Sequence, residues 1–196
     1  GLSWAVAVGA GLLGLLLAAP LAWGARRGGF RPLVAIWAFL LAVPAPLFGI
    51  GALTLWNRIA AGQDWAGLPL LLGHAGRFLP LAGLVLATRF RQGDPLPWEA
   101  ARLVPSRPMV RFGRLFLPLH GSDLFAAATF IAALSFGDVA VSLLLCPPGS
   151  QTLALRLFTL LHYGAGADVA LQSLMSLACG ASAVALLALL LRGRRT

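Results

Sequence analysis

The chain contains no lysine: all 15 of its basic residues are arginines. A phosphate-binding loop of the Gly-x-x-x-x-Gly-Lys-Ser/Thr type places a lysine on the phosphates, so the chain carries no such ATPase site of its own. Acids are scarce too, six in 196 residues. No His-Glu-x-x-His, Gly-x-Ser-x-Gly or paired-carboxylate motif occurs, which leaves no recognisable catalytic residues. The two cysteines, Cys146 and Cys179, fall in an expected outside loop and an expected span. They offer neither a disulfide framework nor metal-ligand spacing. No metal and no cofactor is expected.

What the chain has in excess is apolar surface. Hydrophobic residues make up 59% of it, charged residues 11%, and its mean hydropathy is +0.87, whereas a soluble domain carries about a quarter of its residues charged. A spanning helix needs roughly 20 mostly apolar residues. Five stretches meet that need, near Leu2 to Ala25, Pro32 to Leu55, Leu68 to Thr88, Leu115 to Phe136 and Asp168 to Leu191. Lipid cannot satisfy open backbone polar groups, and no ten-residue alternation suggests a barrel. The expected fold is an all-α integral membrane protein of five transmembrane helices, one domain over residues 1–196.

The arginines orient it. Arg26, Arg27 and Arg31 follow the first span, six more lie between Arg89 and Arg114, and Arg192, Arg194 and Arg195 close the chain. With five spans these clusters share one side, leaving Arg58 and Arg156 opposite and Arg77 inside a span. The positive-inside rule then places the N-terminus outside and the C-terminus in the cytoplasm of a multi-pass inner-membrane protein. A net charge of +9 distributed this way, without a basic face interleaved with aromatics, argues against a nucleic-acid partner. Membrane lipid is the partner that composition implies.

Local signals refine the picture. Pro44 and Pro46 should kink the second span. Ala7, Ala10, Gly11 and Gly14 supply the small-residue spacing of closely packed membrane helices. Between Gly137 and Ala167, Val139 to Cys146 is too short to span, Pro147-Pro148-Gly149 breaks the chain, and Thr152 to Tyr163 has helical periodicity. Such a re-entrant or surface-lying pair belongs where protein or a water-filled cavity covers the backbone. Asp94, Pro95 and Pro97 are helix-start residues, Glu99 then falls in a first turn, and Pro105 with Pro108 ends a short helix. Intramembrane polar residues are candidates for a translocation path or gate: His74 and Arg77 on one face of the third span, and Asp138 near the outer end of the fourth. His120, Ser122 and Asp123, near the cytoplasmic start of the fourth span where an acid can reach the interface and its arginines, are expected to make structural pairings, and Asp168 to cap the last helix.

Glu99-Ala100-Ala101, followed by Leu115-Phe116-Leu117-Pro118, resembles the cytoplasmic signature of permease subunits of binding-protein-dependent ABC importers. That signature reads Glu-Ala-Ala, three residues, Gly, nine residues, Ile, any residue, Leu-Pro. The spacing is kept, with Pro105 at the glycine and Leu115 at the isoleucine. Ser135-Phe136-Gly137-Asp138 resembles the small-Gly-acid step that follows the signature in these permeases, and the segment from Cys146 to Gly164 looks like the corresponding region of the ferric-iron subgroup, although six acids and one tyrosine make no ferric site. The resemblance implies a permease core with a cytoplasmic coupling helix, in which Glu99, Ala100, Ala101, Pro105, Gly113, Leu117 and Pro118 dock on separate ABC ATPase subunits. It also implies a second permease core and an extracytoplasmic substrate-binding protein. Members of the subgroup often carry two cores on one polypeptide, and the chain starts at Gly1 rather than Met. One core of a longer chain, or a fragment lacking its N-terminus, is therefore expected. The competing expectations are a proton-coupled secondary transporter and an intramembrane enzyme using His74, His120 or His162 with an acid.

Overall fold

The computed structural model describes residues 1–25, 29–60, 67–93, 96, 99, 110, 112–163 and 166–192. The described secondary structure is helical throughout. In chain order the helices are α1 (Leu2–Ala25), α2 (Phe30–Ala42), α3 (Ala45–Ile59), α4 (Leu68–Gln92), α5 (Leu117–Gly137), α6 (Ala140–Leu145), α7 (Leu153–Tyr163) and α8 (Gly166–Arg192), with a π turn at Phe112–Phe116 leading into α5.

The body of the molecule is α1 packed between α4 and α5. Lipid tails are as apolar as leucine, so burying apolar surface gains little inside a bilayer, and close van der Waals contact must hold the helices together. The sequence answers with small side chains. The buried face of α1 is Val6, Ala7, Ala10, Gly11, Gly14, Ala18, Ala22 and Ala25. A Cβ on Gly11 would stand 2.6 Å from the Ala128 carbonyl oxygen of α5, and one on Gly14 would stand 2.7 Å from Ile131 Cδ1. Backbone therefore touches backbone, as the small-residue spacing predicts. Gly9 lies against Leu71 of α4 and Trp4 against Phe136 of α5. At the far end Trp23 meets Phe90 of α4 and Phe116 before α5, so α1 and α4 run parallel and α5 runs against both.

Around this body the chain is broken twice. Pro44 and Pro46 divide the expected second span into α2 and α3, which meet at 98°. That is a break where a kink was expected, because neither proline has an N–H and the two would-be donors of one helical turn are lost together. α2 runs antiparallel along α4, with Trp37, 2% exposed, filling the space beside Gly83, where a Cβ would meet its ring at 2.5 Å. The second break separates α5 from α6 at Asp138 and Val139. The short segments expected after residue 137 are α6 and α7. The backbone N–H of Leu153 at the start of α7 donates to Ser3 Oγ of α1 at 2.7 Å, and that of Leu155 donates to Thr152 Oγ1 at 3.2 Å.

Among the described residues three helices are long and apolar enough to cross a membrane, or four if the bent pair counts as one crossing. The fifth expected span coincides with α8, whose described apolar stretch is Val169–Ser182. Asp168 is its third residue rather than its cap. Glu99 has a helical backbone and is exposed. Ala100, Ala101 and Pro105, and with them the body of the expected coupling helix, lie outside the described residues.

Candidate functional site

α4 is the axis on which both chain breaks converge. Its polar residues His74 and Arg77 are one turn apart, roughly 9 and 14 Å along the helix from its start at 1.5 Å per residue. Each reaches a different break.

His74 serves the break between α5 and α6. Asp138 leaves α5 in extended backbone (φ −80°, ψ 116°), and its Oδ1 accepts the Ala140 N–H at 3.1 Å, satisfying one open donor of the new helix. The Ser142 hydroxyl donates to the Asp138 carbonyl at 2.8 Å and meets His74 Nε2 at 3.1 Å. Because the serine proton is used on that carbonyl, Ser142 Oγ must accept from the ring, which assigns the His74 proton to Nε2. In the neutral ring His74 Nδ1 is then an acceptor. It faces another acceptor, Asp138 Oδ2, at 4.0 Å, beyond hydrogen-bond reach. Both atoms, and Ser135 Oγ beside them in the chain, are buried without a hydrogen-bond partner. His74 itself is fully buried. Orphaned buried polar atoms each cost about 1 to 3 kcal/mol, so this corner of the molecule is held by few bonds and carries unspent ones.

Arg77 serves the break between α2 and α3. Its Nη1 donates to the Val43 carbonyl at 2.6 Å, and its guanidinium carbon lies 5.8 Å from the Phe48 ring centroid. The expected shared face of His74 and Arg77 is real in the sense of helix spacing, yet the two side chains do not form one pocket: His74 turns to α6 and Arg77 to the end of α2. Asp138 and His74 are brought together; Asp138 and Arg77 are not shown in contact. Ser142 and Val43 were missed by sequence reasoning. Ser142 looks like an ordinary polar residue in an apolar run, and a backbone carbonyl leaves no sequence signal of its own.

The opposite end of the body is built differently. Trp23, Phe90, Phe116 and His120 form a cluster in which all six ring pairs are in contact, at centroid distances from 4.7 to 5.7 Å. His120 Nδ1 lies 3.6 Å from Asp123 Oδ2, a pairing between two of the residues for which a structural role was expected. Gly113 belongs to the π turn, and Leu117 and Pro118 open α5 as exposed residues. No group of three or more metal-ligating side chains occurs among the described residues. A cavity of about 590 Å³ lies between α1, α5 and α8. Trp4, Gly11, Phe125, Ala128 and Phe136 line it without a charged group, so it is suited to apolar contact rather than to catalysis.

No family model matches the chain. It is similar to the putrescine transport system permease protein PotI of Escherichia coli strain K12, with 24% identity over 179 residues that cover 89% of this chain and 63% of that protein. The protein of the same name from Escherichia coli O6:H1 matches to the same extent. The chain thus spans 63% of the length of the curated relatives it matches. The matched relatives are named for a polyamine, and the ferric-iron likeness finds no support among them.

Proposed function

We propose that the chain is a membrane component of an ATP-driven ABC importer, forming part of a translocation path and coupled to separate ATPase subunits. The observation that carries this reading is the convergence of two helix breaks on one polar turn of α4. Broken helices at membrane depth are tolerated where they are buried in protein or line a water-filled cavity, and transporters use such breaks at their substrate sites. The similarity to a permease supports a transport component rather than an enzyme, and the Glu99-Ala100-Ala101 signature supports a coupling role for the segment between α4 and α5. The partners are then an ATPase pair, a second permease core and an extracytoplasmic binding protein, with the Trp23 end of the body in the cytoplasm together with the C-terminus. For the substrate, the similarity favours a small organic cation of the polyamine kind over ferric iron.

The test is Glu99→Arg in the reconstituted transporter. Reversing a charge on an exposed helical residue costs about 0.3 to 1 kcal/mol, too little to unfold the body, so membrane levels should hold. Substrate-stimulated ATP hydrolysis and uptake should be abolished, and Ala100→Trp should act alike by bulk. Wild-type uptake by both variants would remove the coupling role and with it the importer reading.

A further inference from the structure

The break between α2 and α3 presents carbonyl oxygens to α4. In a continuous helix the N–H of residue 44 would serve the Leu40 carbonyl and that of residue 46 the Ala42 carbonyl; both residues are proline and neither bond can form. The Leu40 carbonyl takes the Val43 N–H at 3.3 Å instead. Val43, in extended backbone at ψ 122°, turns its own carbonyl to the Arg77 guanidinium. Three features therefore meet at one point: an open carbonyl, the negative end of the α2 dipole, and the Phe48 ring. Each attracts a cation that donates hydrogen bonds. The site already holds such a cation, and it is one of the protein's own side chains.

Arg77 is also loosely balanced. It is half-buried, and its contacts are the Val43 carbonyl and the Phe48 ring, with no carboxylate within ion-pair distance among the described residues. A guanidinium held by one neutral oxygen and one ring is exchangeable in a way that a bidentate carboxylate pair is not. We propose that the carbonyl end of α2, with Phe48, is a binding site for a primary ammonium or guanidinium group, and that Arg77 is its resident occupant, displaced when an organic cation enters. The importer reading supplies the identity of the visitor as cargo; the chemistry of the site stands on these residues alone.

The experiment uses residues 1–196 in lipid nanodiscs, without ATP or partner subunits, and reads the thermal unfolding midpoint. Arg77→Ala should lower the midpoint, and millimolar guanidinium or n-butylammonium should restore most of the loss, while the unsubstituted chain should respond only at higher concentration because Arg77 competes for the site. Arg77→Gln keeps an amide donor for the Val43 carbonyl without the charge, so it should fold if the alanine variant does not. It should respond to n-butylammonium in the same way. Adding Phe48→Leu to either variant should raise the cation concentration needed for half restoration by at least about tenfold, the effect of losing the ring contact with the cation. Putrescine is titrated alongside. If neither cation moves either variant, or if sodium sulfate restores them equally, the site is not a cation site and the proposal is overturned. Binding that persists when the reconstituted transporter shows no ATP-dependent uptake would sink the importer reading and leave the site intact.

Discussion

The two ends of the α1–α4–α5 body each hold a histidine and an aspartate, and they are built on opposite principles. At the Trp4 end, His74 and Asp138 stand 4.0 Å apart with unpartnered atoms between two helix breaks. At the Trp23 end, His120 and Asp123 stand 3.6 Å apart, one turn apart on a continuous helix and braced by three aromatic rings. Ring contacts are broad and tolerate small displacements, whereas a hydrogen-bond chain fails over about half an ångström. One end is therefore made to hold its shape and the other to change it. On the importer reading proposed above, the stiff junction would lie on the ATPase side and the compliant junction on the opposite side.

The comparison breaks most readily at the stiff end. Trp23→Ala removes one ring from every pair it makes and should cost about 2 kcal/mol or more through its three ring contacts, read as a loss of resistance to denaturant in detergent; a cost under about 1 kcal/mol would show that the rings are ornament and the ends are alike. Next in size is Gly11→Ala, which forces a methyl group onto the Ala128 carbonyl and should cost about 1 to 3 kcal/mol. Gly24→Ala, with open space around it, serves as the matched control. If both substitutions behave alike, α1 does not pack by backbone contact and the two ends share no rigid body.

At the compliant end the expected effects are smaller and differ in sign. Asp138→Ala removes the acceptor of the Ala140 N–H at the start of α6 and should cost about 1 kcal/mol, the worth of a typical hydrogen bond. Asp138→Asn keeps the Oδ1 acceptor for Ala140 and turns an amide donor toward His74 Nδ1. It should therefore be neutral or stabilising by about 1 kcal/mol, measured as the unfolding midpoint at a fixed neutral pH. Marked destabilisation by the asparagine would mean that His74 donates from Nδ1, reversing the tautomer assigned above.

The stiff end was the more legible of the two in sequence. The apolar lengths of α1, α4 and α5 and the small-residue face of α1 are local signals. The two short helices after residue 137 were legible because Pro147, Pro148 and Gly149 punctuate them. The compliant end rests on partners far apart in the chain: His74 and Ser142 are 68 residues apart and Arg77 and Val43 are 34 apart. No periodicity reports such pairs. Pro44 and Pro46 announced a bend but not its 98°, since that angle is set by what α3 packs against. Glu99 remains a coupling candidate on its signature, with its neighbours Ala100, Ala101 and Pro105 outside the described residues.

The bond between Arg77 and Val43 also bears on how the protein is made. Its two ends are 34 residues apart in the chain, and at a synthesis rate of about 5 to 20 residues per second the carbonyl leaves the ribosome several seconds before its donor. Until then α2, with 13 residues, is shorter than the roughly 20 needed to cross the hydrocarbon, and its open end has no partner from within the chain. The segment from Phe30 to Gln92 is thus best delivered to the bilayer as a single unit, with the arginine arriving last to close it, and a ribosome stalled between Ile59 and Arg77 would leave a nascent chain that has not yet settled its topology.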